Sequence, residues 1–124
     1  MIQVLLAVPY PTLADAMQVL LEQQADIQVV AKTSSEAETL ALVAQLQPTN
    51  VVLDVGSYGF SGIEMLIMLS AAQPHIPLLV VGHSDLPYDA HRIRQAGAAD
   101  YLPKYELATR LTQTVKTIAT NNQQ

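Results

Sequence analysis

Short apolar runs and amphipathic stretches alternate along the whole chain. Five runs rich in Val, Ile and Leu occupy positions 2–8, 27–31, 51–53, 78–81 and 101–102. They are nearly continuous in apolar character, which is the pattern of strands buried on both faces of a parallel sheet. Between them apolar residues recur at three- and four-residue spacing: Leu13, Met17, Leu20 and Leu21, then Ala37, Leu40, Ala41 and Ala44, then Ile63, Leu66, Ile67 and Ser70. Each set predicts a helix with one buried stripe. Ala90, Ile93 and Gly97 predict a weaker fourth helix, and Leu107, Leu111, Val115 and Ile118 a clear fifth. Ser34-Ser35 with Glu38 forms a capping-box pattern ahead of the second helix, and Pro48 follows its end. Five strands alternating with five helices imply a doubly wound α/β fold, a three-layer sandwich around a five-stranded parallel sheet.

Composition narrows the class. A chain of 124 residues fits one domain, expected over residues 1–120, with residues 121–124 as a polar tail or the start of a linker. Half of the residues are apolar, yet no uninterrupted apolar stretch reaches the length of about eighteen that a membrane span needs. The absence of cysteine excludes a disulfide framework and any thiolate metal or redox site, in agreement with a cytoplasmic address. A net charge of −5 argues against this domain gripping a nucleic-acid backbone by itself.

In open parallel sheets ligands bind beyond the carboxyl ends of the strands. The residues there are Val8-Pro9, Asp54, Gly82 with His83-Ser84, and Pro103-Lys104. Asp54 and Lys104 are therefore expected to approach one another. Two readings of that pair are open. An Asp carboxylate can attack phosphorus while a Lys neutralises the oxygens of the acyl phosphate; equally, Asp54 can orient the following loop while Lys104 is a solvated surface residue. His75, His83 and His91 are too scattered to form a metal-ligand set, and Gly56, Gly59 and Gly62 form no dinucleotide or Walker phosphate loop.

The sequence resembles the receiver domains of two-component response regulators, most of all those that precede a helix-turn-helix output. The residues that carry the resemblance are Ile2-Gln3-Val4-Leu5-Leu6-Ala7, Asp26-Ile27-Gln28-Val29-Val30, Pro48 through Asp54, Gly59 to Gly62, Ala96-Gly97-Ala98, and Asp100-Tyr101-Leu102-Pro103-Lys104. The resemblance implies a flavodoxin-like fold, with Asp54 at the phospho-acceptor position, Lys104 as the phosphate-facing lysine and Tyr101 as the switch aromatic. It also implies a protein partner, either a histidine kinase or an output domain, and a non-enzymatic role.

The chain departs from the family pattern in three ways. Receivers carry two adjacent acids after the first strand, where this chain has Val8 and Pro9, and neither can bind Mg²⁺. The family's Ser or Thr after the fourth strand corresponds to Gly82, and Ser84 would have to reach back to replace it. The proline that usually follows the lysine is here Pro103, ahead of it. A lone Asp54 is free to pair directly with Lys104, a poor start for nucleophilic attack. The expectation is a degenerate pseudo-receiver with no cofactor, in which phosphorylation is weak or absent and the domain acts as a protein-interaction module. The alternative is a conventional Mg²⁺-dependent receiver, phosphorylated on Asp54 by a histidine kinase and controlling a DNA-binding output domain. A homodimer through the face of the fourth helix, fifth strand and fifth helix is also expected, since Tyr88, Tyr101 and Tyr105 cluster along that edge.

Overall fold

In the computed structural model, which describes residues 1–55, 62–84 and 86–122, strands and helices alternate from end to end. The order is β1 (Ile2–Ala7), α1 (Pro11–Glu22), β2 (Ile27–Thr33), α2 (Glu36–Leu46), β3 (Asn50–Asp54), α3 (Ile63–Ala72), β4 (Leu78–Gly82), α4 (Pro87–Gln95), β5 (Asp100–Pro103) and α5 (Leu107–Asn122). A single 3₁₀ turn, Lys104–Glu106, joins β5 to α5. The five strands form one parallel sheet in the order β2-β1-β3-β4-β5.

Alternate residues of the central strands feed two separate cores. Val4, Leu6, Val52, Leu79 and Val81 pack with α1 and α5 through Met17, Leu21, Leu111 and Val115. Leu5, Val51, Leu53, Leu78 and Val80 pack on the other face with Val43, Met65, Leu66 and Leu69 from α2 and α3. Because both faces are covered, β3 and β4 contain no exposed residue, which is why their sequences read as unbroken apolar runs.

The helix stripes read from sequence hold on α5, where Leu107, Leu111, Val115 and Ile118 are all buried. They need correction on α2 and α3. On α2 the alanines 37, 41 and 44 face solvent, and Thr39 and Val43 are the buried pair. Thr39 tolerates burial because its hydroxyl bonds Thr33 Oγ1 at 2.6 Å and donates to the Ser35 carbonyl at 2.7 Å. On α3, Ile67 is exposed and Met65 and Leu69 take the core positions beside Leu66. The cap of α2 is as expected: Ser35 Oγ accepts from Glu38 N, while Glu38 Oε1 accepts from Ser34 N. Gly97, at φ +122 between α4 and β5, lets the chain pass against Ser70 of α3, where a Cβ would lie 2.7 Å from the Ser70 Cβ.

Candidate functional site

Strand register brings the expected site residues to one edge. Ala7 pairs with Leu53, Asp54 with Val81, and Gly82 with Pro103, so β1, β3, β4 and β5 end side by side. Asp54 is the last residue of β3 and is fully buried, and Lys104 follows the end of β5 with its side chain 16% exposed. The lysine reaches across the end of β4 and places Nζ 2.8 Å from Asp54 Oδ2. The two groups meet as charges rather than as an aligned hydrogen bond, since neither Asp54 oxygen has a hydrogen-bond partner among the described residues.

The other positions surround this pair with apolar groups. Val8 is buried and Pro9 half-buried directly after β1, so the loop beside Asp54 offers no oxygen side chain at those positions. Tyr10 follows, and its ring centroid lies 5.0 Å from Lys104 Nζ. At the end of β4, Gly82 is covered by Tyr101. The ring is buried in the core of the α3 side, and its hydroxyl donates to the Ser84 carbonyl at 2.7 Å.

Ser84 does not reach back toward Asp54. Its hydroxyl donates to Asp89 Oδ2 at 2.6 Å and accepts from Leu86 N at 3.2 Å, which ties it into the turn that starts α4. The histidines also stay apart: His83 and His91 face solvent, and His75 bonds Gln47 Oε1 at 2.8 Å. Gly56 and Gly59 lie outside the described residues.

The donor set among the described residues does not fit Mg²⁺. That ion takes about six oxygen ligands in octahedral geometry, commonly through one or two carboxylates. Here the described residues offer one carboxylate with an ammonium 2.8 Å away, and no group of three acidic or histidine side chains gathers anywhere among them. The approach of Lys104 to Asp54 was legible in the sequence, and the cover of Gly82 by Tyr101 was not. The approach of Tyr10 was missed, and its one sequence signal is a tyrosine held between two prolines at a strand end.

The order 2-1-3-4-5 with a buried Asp at the end of β3 and a Lys after β5 defines a receiver-like α/β domain. The chain belongs to the response regulator receiver domain family, which it matches over residues 4–116, and is a module of two-component signalling. It is similar to the nitrate/nitrite response regulator protein homolog of Haemophilus influenzae, with 30% identity over 95% of this chain and 57% of that protein. It is also similar to the transcriptional regulatory protein BtsR of Escherichia coli K12, with 31% identity over 93% of this chain and 47% of that protein. The chain thus spans about half the length of the curated relatives it matches. Its fold is that of the Francisella response regulator 1452 receiver domain, with a TM-score of 0.88, 20% identity and 98% of both chains covered. Among the described residues no helix is long and apolar enough to cross a membrane.

Proposed function

We propose that the domain is a degenerate receiver that works as a protein-interaction module, with Asp54 held by Lys104 and phosphorylation weak or absent. The observation that carries this reading is the pairing at the phospho-acceptor position. Where the family places two acids after β1, Val8 and Pro9 leave Lys104 at 2.8 Å as the ionic neighbour of Asp54 among the described residues. Attack by a carboxylate on an anionic phosphoryl group needs added positive charge to offset repulsion. A single ammonium already paired to the nucleophile supplies little of it.

The partner is another signalling protein, either a histidine kinase or an output domain, in a cytoplasmic setting. Its docking surface, and that of a homodimer, is the α4–β5–α5 face. Leu86, Tyr88 and Tyr105 are 59%, 70% and 69% exposed there, and large exposed apolar and aromatic side chains suit the centre of an interface. With a net charge of −5, nucleic-acid contact is assigned to a separate segment of a longer protein.

The conventional receiver remains as a second reading because Asp54 and Lys104 are both retained and the Asp54 lone pairs are uncommitted to hydrogen bonds among the described residues. The name of one relative, the transcriptional regulatory protein BtsR, suits an output in transcription. Incubation with Mg²⁺ and a small acyl-phosphate donor, read by intact mass, separates the two. The degenerate reading expects no phosphoryl adduct. An adduct that Asp54→Asn abolishes would establish the conventional receiver instead.

A further inference from the structure

We propose that Tyr10 is a positioning residue that seats the Lys104 ammonium against Asp54 and closes the pair from solvent. Its consequence for signalling rests on the degenerate reading above, while its geometry does not. Tyr10 lies between Pro9 and Pro11, and a residue that precedes proline is driven to extended backbone. It adopts φ −105 and ψ 106, and its carbonyl accepts from Ala14 N at 2.9 Å as α1 begins. The backbone that carries the ring is therefore constrained on both sides, one by covalent sterics and the other by the first helical bond.

From that anchor the ring centroid stands 5.0 Å from Lys104 Nζ, within the range over which the negative face of an aromatic ring attracts a cation. On another side the same ammonium meets Asp54 at 2.8 Å. An ammonium carries three donors and no acceptor, so a carboxylate on one side and a ring face on another are both favourable neighbours. The result is a lysine with only 16% of its side chain exposed at the rim of the sheet, covered by a tyrosine that is itself 42% exposed. In a pocket whose β1 loop offers Val8 and Pro9, the ring is what faces the cation.

The test is competitive acylation of the folded protein with trace acetic anhydride, with each lysine quantified by peptide mass spectrometry. Lys32 and Lys116 serve as internal references, with side chains 38% and 32% exposed. In the native protein Lys104 labels slowest of the three. Tyr10→Ala raises the Lys104 rate roughly fivefold to tenfold relative to both references, and Tyr10→Phe keeps the native rate because the ring face is preserved. A Lys104 rate unchanged in Tyr10→Ala overturns the proposal. If that variant does not fold, the native protein still decides: the Lys104 side-chain methylene protons next to the ammonium are shifted upfield by the ring current, and resonances at the positions of Lys32 and Lys116 overturn it. Acyl-phosphate labelling of Asp54 would sink the degenerate reading, while both Lys104 readouts are taken on the unlabelled protein, so the two failures are distinguishable.

Discussion

A Cβ placed on Gly82 would come within 2.9 Å of the Tyr101 hydroxyl and 3.3 Å of its Cε2. The tyrosine ring occupies the space that a side chain at position 82 would fill, and the Tyr101 hydroxyl is bonded to the Ser84 carbonyl. Gly82 and the inward tyrosine are thus one feature. Gly82→Ala is predicted to destabilise the fold by about 1–3 kcal/mol, the range for overpacking a filled site. In a Tyr101→Ala background the same change is predicted to cost under about 0.5 kcal/mol, and urea denaturation of the four proteins measures the coupling.

The Asp54–Lys104 pair makes a second prediction. Removing the cation leaves a buried carboxylate without compensation, so Lys104→Met is predicted to cost about 3–5 kcal/mol. Adding Asp54→Asn to that variant removes the buried charge and is predicted to restore most of the loss. Equal stabilities of the single and double variants would show that the pair is not coupled in the folded protein.

How much of this was legible in the sequence depends on what signalled each element. The stripe of α5 was readable because Leu107, Leu111, Val115 and Ile118 sit among Thr, Gln, Lys and Arg, so contrast marks the buried side. On α2 the contrast is weak, alanine suits either side, and the true anchor is a polar residue: Thr39 is buried through hydroxyl bonds to Thr33 and Ser35 that periodicity does not report. On α3 almost every position is apolar, so Ile67 could not be assigned outward. Asp54 and Lys104 were placed together because strand ends are readable and parallel order brings them to one edge. The Tyr10 ring depends on how the chain turns after β1 and on where a lysine some ninety residues later points, which no local pattern encodes.

The cap of α2 offers a local check. Ser35 Oγ accepts from Glu38 N at 3.2 Å, and Ser35→Ala is predicted to cost about 1 kcal/mol in chemical denaturation. Glu38→Ala removes the reciprocal bond to Ser34 N and is predicted to cost less, since that backbone amide remains exposed to water.

The partner face is tested by charge. Tyr88 and Tyr105 are the most exposed aromatics described, and Arg92 packs 5.9 Å from the Tyr88 ring centroid. If copies of the domain pair through this face, Tyr88→Glu with Tyr105→Glu shifts sedimentation to the monomer while the melting temperature moves by a few degrees at most. A dimer that persists in this variant would place the contact elsewhere.

The most direct test of a site built without the acidic pair is a Mg²⁺ titration of the native domain followed through backbone amide resonances. With Val8 and Pro9 after β1 and Lys104 already against Asp54, the amides of Ala7, Val8, Tyr10 and Asp54 are predicted to stay in place up to millimolar Mg²⁺. Saturable shifts at those same amides would contradict the account and return Asp54 to a metal-dependent receiver.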